Sequence, residues 1–508
     1  MRAVSATASV PAPSPALHAS SRAPWWPLAA ITLLAAALRL STLDLQSLWY
    51  DEAFTPVHVL HPSLSATLHS VVHSENTPPL WYVLEWALTR VLGTGAVALR
   101  LLSALAGIAT VLVAWAIGRE LAGRRAAVAA AALVAVNPLF IWYSQEARAY
   151  ALFVLTASVA MLCFLRALTE PSPRRLAAFA LAGSLALLSH YFAVFLLIPM
   201  LLGLLLAGGR GERRAGSLRA RVIACAAVVL VGLALLPLAI AQGGHGSQWI
   251  GSWALSSRLA AIPQYYLTGY MGAPLGHGIE LLVALLILAG LLFALWRVLE
   301  RREERAALLA LGLAACGVVL PIVAVAIGED YLAPRNLVAA MVPLTTAIAV
   351  VLTARRTGRA GLAAAALVAA AFLIISIDVN LSPRLERGNW RDVAKALGVG
   401  TGARVITTVE LGSAPLEYYL PPLTNLGARA SVRVSEIDET GYSPLRASAG
   451  EPPAPGFTLS ERLDIDGLIV YRFLSPVARS VSERALREHV ITLAHPEVLV
   501  PGLRRAAS

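Results

Sequence analysis

Charge is what this chain has least of. Only 14% of its 508 residues are Asp, Glu, Lys or Arg, against 57% hydrophobic, and the mean hydropathy is +0.69. That balance excludes an ordinary soluble globular protein and predicts a polytopic membrane protein. Cysteine is also scarce: Cys163, Cys225 and Cys316 all fall inside apolar runs with no short metal-type spacing, which excludes a disulfide framework and a zinc site of the cysteine type. No glycine-rich loop of the P-loop or dinucleotide kind is present, so nothing in the sequence cradles a nucleotide. The charge that does occur is lopsided, with a net +11 carried almost entirely by arginine. Those arginines gather in short runs between apolar segments, at 119–125, 166–175, 210–221, 297–305 and 355–359. This is the positive-inside pattern of cytoplasmic loops, not a nucleic-acid surface.

Apolar runs long enough to span a bilayer recur at about 25–43, 96–117, 126–143, 149–168, 175–189, 191–208, 222–241, 278–297, 307–327, 336–354 and 360–378, which predicts roughly eleven transmembrane helices. The segment 79–93 is apolar but short, aromatic and interrupted by Glu85. It is read as lying in the interface, because a crossing there would put the 119–125 arginines outside and invert every later basic loop. The run Ser63–His73 places Leu64, Leu68, Val71 and Val72 on one helical face, as an interfacial helix would. His61, His69 and His73 then read as a solvated face, since two histidines four residues apart are at most half a metal site.

These readings divide the chain into a disordered cytoplasmic lead at 1–24, a membrane domain at 25–379 with a first outer loop at 44–95, and an extracytoplasmic α/β domain at 380–508. The first span is read as an uncleaved signal anchor. In the tail, 389–397 reads as a helix and 403–409 and 467–473 as strands, while the last 20 or so residues and the loop 243–276 are poorly patterned.

With that sidedness, costly polar residues collect on one face of the membrane. Asp51 and Glu52 follow the first span directly, and acids at a membrane exit normally face a cavity, a partner or a metal; the structural alternative is a pair of interfacial charges ending a helix. The same face holds Glu75-Asn76-Thr77-Pro78-Pro79, Ser144-Gln145-Glu146-Ala147-Arg148-Ala149-Tyr150, His190-Tyr191, Gln264-Tyr265-Tyr266 and Glu329 to Asn336 with Arg335. Carboxylates suit base or metal work, arginines suit phosphate, and aromatics suit sugar faces or a lipid groove. Taken singly, Arg148 and Arg335 are equally readable as snorkelling anchors, and His190 as a structural histidine.

The order Trp49-Tyr50-Asp51-Glu52-Ala53, Asn76-Thr77-Pro78-Pro79-Leu80-Trp81-Tyr82, Ala98-Leu99-Arg100-Leu101-Leu102-Ser103-Ala104, Trp142 to Tyr150, then Ser189-His190-Tyr191 resembles the membrane glycosyltransferases of family 39 and their relatives of the GT-C fold. That group includes the protein O-mannosyltransferases and the aminoarabinose transferases. The match covers about the first 210 residues, with looser echoes at 331–336 and 389–394. The resemblance implies a polyprenyl-phosphate sugar donor, a lipid, glycan or protein acceptor, transfer at the outer face of the cell membrane, and usually inversion. It implies that Asp51 is the base or orienting acid, with Glu52 beside it, and that Gln145, Glu146, Arg148, Tyr150, His190, Tyr191 and Arg335 meet donor phosphate and sugar. A divalent cation on Asp51, Glu75 and His190 is one possibility and a metal-free site the other; where many relatives carry Asp or His directly before the paired prolines, this chain has Glu75-Asn76-Thr77. The rival readings are a flippase of lipid-linked sugars, which predicts repeats or helices broken at mid-membrane, and an inert envelope scaffold.

Overall fold

The first apolar run forms the helix Trp26–Leu40 (α1), whose Pro27 sits in the first turn, where a missing N–H costs nothing. The computed structural model describes residues 25–206, 215–245, 248–269, 277–382, 385, 387–398, 403–409, 412–420, 422–489, 491–492 and 496–502. The expected disordered lead at 1–24 lies outside the described residues. After α1 the chain carries three short helices, Tyr50–Phe54 (α2, continued by a π turn Thr55–Val59), Leu64–Ser74 (α3) and Leu80–Leu92 (α4). The Ser63 hydroxyl caps α3 by accepting from the Ala66 N–H, as the amphipathic run requires. At 13 residues α4 is about 20 Å long, short of a bilayer core.

The helical body follows as Ala96–Ala122 (α5), Arg124–Val136 (α6), Pro138–Ser144 (α7), Tyr150–Thr169 (α8), Pro173–Ser189 (α9), Ala193–Leu206 (α10), Ala215–Ala241 (α11), Gln248–Ser252 (α12), Leu255–Thr268 (α13), His277–Arg297 (α14), Arg301–Ala326 (α15), Met341–Leu352 (α16, preceded by the 3-10 turn Pro334–Ala340) and Gly358–Leu381 (α17). Among the described residues six stretches are long and apolar enough to cross a membrane, and the bent pair α6 and α7 makes a seventh if counted as one span. Trp26–Leu40, Ala193–Leu206 and Leu281–Trp296 are shorter apolar helices. The expected runs are therefore helical in their expected places where they are described, and among the described residues six or seven stretches satisfy both length and composition. The poorly patterned loop after residue 243 contains α12 and α13, where Arg258, Tyr265 and Tyr266 are buried.

The break between α6 and α7 has a local cause. Pro138 has no N–H to offer the Val134 carbonyl, and the Leu139 and Phe140 N–H groups turn to the Asn137 side chain instead, so the axis bends by 58°. Three carbonyls lose their intrahelical donors. Arg39 of α1, wholly buried, donates to Val134 (3.2 Å) and Ala135 (2.8 Å), and the Ser376 hydroxyl of α17 donates to Val136 (2.8 Å).

The tail forms Trp390–Leu397 (α18), Arg404–Val409 (β1), Ser413–Tyr419 (α19), Leu423–Asn425 (β2), Ser431–Tyr442 (β3), Thr458–Ile465 (β4), Leu468–Ser482 (β5), Glu483–Glu488 (α20) and Pro496–Pro501 (β6). The six strands make one sheet in the order β2-β6-β1-β3-β5-β4, with β1 and β3 parallel and the other pairs antiparallel. Asp466-Gly467, both at positive φ, close the two-residue β4–β5 hairpin. The poorly patterned end thus supplies β6, an internal strand recognisable only by its short run Val498-Leu499-Val500. The domain seats on the segment before α2: the Leu48 N–H donates to the Tyr419 hydroxyl (2.8 Å), Ser47 to the Gly388 carbonyl (3.1 Å) and Arg391 to Asp44 (2.8 Å), while Trp49 packs with Trp390, Val393 and Leu416.

Without Arg39 the bend would strand carbonyls where no water competes for them. Arg39→Leu is expected to lower stability by about 2–6 kcal/mol, two carbonyls at about 1–3 each, and Ser376→Ala by about 1–3. Unfolding curves in lipid nanodiscs measure both, and an Arg39→Leu protein as stable as wild type would refute this role.

Candidate functional site

The two adjacent acids of the first loop turn out to point into different surroundings. Glu52 is fully buried and meets Arg100 of α5 side-on, receiving Nε at 2.7 Å and Nη2 at 2.5 Å, and it also accepts the Ala147 N–H at 3.0 Å. The remaining Arg100 donors go to the carbonyls of Leu43 (2.7 Å), Gln46 (2.8 Å) and Ser47 (2.9 Å), so all five N–H groups are used. One guanidinium thereby fixes the whole run from the end of α1 to α2. Burial pushes the Glu52 carboxyl up, but Arg100 more than offsets it and holds the group below the ordinary carboxylate range.

Asp51, one residue earlier, is partly open. Its Oδ2 accepts a single N–H from Arg335 at 2.7 Å, and both side chains are 18% exposed. The Arg335 guanidinium lies over the rings of Trp249 (4.9 Å) and Tyr150 (5.9 Å). Its loop is held by Arg258 of α13, which forks onto Asp330 at 2.6 and 2.8 Å and reaches the Leu332 carbonyl. Glu75 pairs with Arg148 at 2.8 and 2.9 Å, and Arg148 also leans toward the Asp51 carbonyl at 3.5 Å.

A fifth arginine enters from the tail linker. Arg387 donates to the Trp142 and Gln145 carbonyls at 2.6 Å each and lies 3.9 Å from the Trp142 ring centroid. Its Nη2 is 3.8 Å from Glu146, whose two oxygens have no hydrogen-bond partner among the described residues. Burial, reinforced by the charges of Glu52 and Asp51 and opposed by Arg387, pushes the Glu146 carboxyl up to about 7. His190 is buried, stacks on Phe153 at 4.7 Å, and accepts the Phe192 N–H on Nδ1, which places the ring proton on Nε2. Burial together with Arg335 and Arg148 drives it down to about 3, so it is a neutral imidazole.

The structure thus gathers Asp51, Glu52, Glu75, Glu146, Arg148, Tyr150 and Arg335 into one network and brings His190 against its Tyr150 edge, with ring centroids 5.8 Å apart. Two expected ligands point elsewhere. The Gln145 amide donates to Thr42 Oγ1 (2.5 Å) and the Leu38 carbonyl (3.0 Å), and the Tyr191 hydroxyl donates to Gln242 (2.7 Å), whose amide holds Val71 and Thr77. Sequence reasoning missed Arg100 and Arg387 as members of the site. Arg100 lay inside a quoted motif, and its signal was a charge in the first turns of an apolar helix; Arg387 gave none. Asp51, Glu75 and His190 do not make a cation cage: two are hydrogen-bonded to arginines, the third packs on Phe153, and among the described residues no three His, Cys, Asp or Glu lie close enough to hold a metal. The residues present do not fit a divalent cation.

Glu52→Gln leaves a buried arginine without its counter-charge and is expected to cost about 3–5 kcal/mol, whereas Asp51→Asn, at a partly exposed pair, costs about 1 kcal/mol or less. Because Glu52 is held below the ordinary range, its contribution is complete at and above that range and is lost only as pH falls through the lowered value. Unfolding of the two variants in lipid separates the roles, and equal losses would contradict the division.

Residues 76–240 match the sequence profile of the dolichyl-phosphate-mannose-protein mannosyltransferase family. No curated protein sequence matches the chain. Among solved structures, ArnT from Cupriavidus metallidurans bound to undecaprenyl phosphate is similar with a TM-score of 0.54 at 13% identity, covering 89% of this chain and 98% of that one. Its apo state gives 0.52 at 13% identity over 88% and 97%. The Archaeoglobus fulgidus oligosaccharyltransferase with zinc and sulfate gives 0.45 at 18% identity, over 78% of this chain and 57% of that one. The resemblance read from the ordered motifs is therefore met by the fold: the chain is built on the GT-C architecture of ArnT, and across residues 76–240 it carries the sequence pattern of the dolichyl-phosphate-mannose-protein mannosyltransferases.

Proposed function

We propose that this protein is a membrane glycosyltransferase that moves one sugar from a polyprenyl-phosphate carrier to a hydroxyl of a lipid, glycan or protein acceptor, with inversion. The observation that carries this reading is the single-pronged pairing of a partly open acid, Asp51, with a partly open arginine, Arg335, in a network where Glu52 with Arg100 and Glu75 with Arg148 are two-pronged. The similarity in fold to an enzyme solved with undecaprenyl phosphate supports it. The sidedness of the arginine runs supports eleven crossings, a cytoplasmic N-terminus, and a site and C-terminal domain at the outer face. There the polyprenyl tail stays in the bilayer while its phosphate reaches the network.

The chemistry follows from the geometry. A donor phosphate competes for Arg335, because a single N–H to a carboxylate is exchangeable where a buried two-pronged contact is not. Arg335 then takes the phosphate, and Asp51, released, accepts the proton of the acceptor hydroxyl. The acceptor oxygen bonds to the anomeric carbon as the bond from that carbon to the phosphate oxygen breaks, and its electron pair leaves with the polyprenyl phosphate. Arg335 and Arg148 offset the growing negative charge, in a site only partly open to bulk water. Glu52 and Arg100 hold Asp51 in place without touching substrate. The bend between α6 and α7 is the feature a flippase reading would claim, but Arg39 and Ser376 already occupy its freed carbonyls, which closes it as a substrate path.

The test is transfer from a panel of polyprenyl-phosphate sugars by protein in lipid, with and without chelator. Wild-type turnover is expected to survive the chelator, to fall about 10²- to 10⁴-fold in Asp51→Asn, and to fall about 10²- to 10³-fold in Arg335→Gln. Full activity in Asp51→Asn would end this reading.

A further inference from the structure

Three buried polar atoms without hydrogen-bond partners among the described residues lie close together in sequence: both carboxyl oxygens of Glu146 and the hydroxyl of Tyr143. Tyr143 is in the last turn of α7 and Glu146 just past its C-cap Gln145; Glu146 is 1% and Tyr143 2% exposed, and the Glu146 carboxyl is within electrostatic range of the Tyr143 hydroxyl. We propose that Glu146 and Tyr143 form a subsite that binds hydroxyl groups of the donor sugar. This deepens the glycosyltransferase reading and rests on it.

The surroundings say where the subsite lies. The Tyr143 ring packs on Tyr150 at 4.8 Å, and Tyr150 in turn lies under the Arg335 guanidinium that also holds Asp51. Glu146 is within electrostatic range of Asp51, Glu52, Arg335, Arg387, Tyr143 and Tyr150. The unpartnered atoms are thus one ring away from the candidate phosphate ligand, and in this proposal the sugar carried by that phosphate sits beside them. An unmet buried polar group is costly, and three within four residues make a poor scaffold. Elsewhere among the described residues, only Glu85 of α4 is an acid with both oxygens in this condition. It differs in a telling way, since burial alone acts on it and pushes it up to about 9, with no charged group of the network near it.

The ligand class follows from the donor set. A carboxyl that carries its proton offers one donor and acceptor oxygens, and a phenol offers one of each, which matches neighbouring hydroxyls that both give and accept. The subsite therefore suits a hydroxylated sugar ring.

The experiment compares wild type with Tyr143→Phe and Glu146→Gln on two probes: undecaprenyl phosphate without sugar, read by equilibrium binding, and the best sugar-bearing donor from the panel, read by kcat and KM. Binding of sugar-free undecaprenyl phosphate is expected to change less than twofold in both variants, which also shows that they fold. For the sugar donor, kcat/KM is expected to fall roughly 10- to 100-fold in Tyr143→Phe. A donor lacking the contacted hydroxyl is expected to lose as much on wild type and little more on the variant. In wild type the donor KM rises above about pH 7, where Glu146 loses the proton it donates, and in Glu146→Gln that rise is absent. Equal weakening of sugar-free undecaprenyl phosphate, or unchanged donor kinetics with an active wild type, overturns the subsite alone. A wild type inactive with every donor overturns the underlying reading together with it.

Discussion

A guanidinium whose five donors are all spent is the fixed point of this molecule. Arg100 gathers three carbonyls and the Glu52 carboxylate from a segment with no regular ladder of its own, at a level where backbone groups find little water. Through the Ala147 N–H, Glu52 then ties that segment to the loop bearing Arg148 and Tyr150. The C-terminal domain closes the same segment from the other side through Tyr419, Gly388 and Trp390, and its linker adds Arg387 beneath Trp142. Two loops nearly a hundred residues apart in sequence are thus joined through one carboxylate.

That clamp separates structural charge from exchangeable charge. Glu52 with Arg100 is two-pronged and buried, Glu75 with Arg148 is two-pronged on a buried carboxylate, and pairs of that kind are costly to break. Asp51 with Arg335 is single-pronged and partly open. Adjacent residues of one type consequently do different work: Glu52 sets the frame, and Asp51 is left free to trade its partner. Only the open pair can respond to an arriving anion without the loop coming apart.

Much of this was legible in the sequence, for physical reasons that also mark where legibility ends. Apolar runs announce helices because the bilayer imposes length and hydropathy, and the helices fall where those runs lie. The run 124–144 hid its bend, although Asn137-Pro138 carried the signal of a cap and a missing donor. Asp51 stood out because an acid at a membrane exit is expensive. Glu52 looked equivalent to it, since adjacency in sequence does not tell which way a side chain points on a helical turn. Arg387 and its partners are about 240 residues apart, and no local pattern encodes a contact of that range. Gln145 and Tyr191 sat in the right motifs yet turned to backbone and amide partners, which motif order cannot reveal. Strand β6 escaped notice because a strand of six residues with proline at both ends has little alternation to read.

The central claim is that an anionic lipid headgroup exchanges with Asp51 on Arg335 while the other pairs stand still. A structure of the protein in lipid with undecaprenyl phosphate bound tests it most directly. The account predicts the phosphate on Arg335, the 2.7 Å contact to Asp51 broken, and the Glu52 and Glu75 pairs unchanged. A phosphate bound away from Arg335, with Asp51 still in contact with it, would contradict the account.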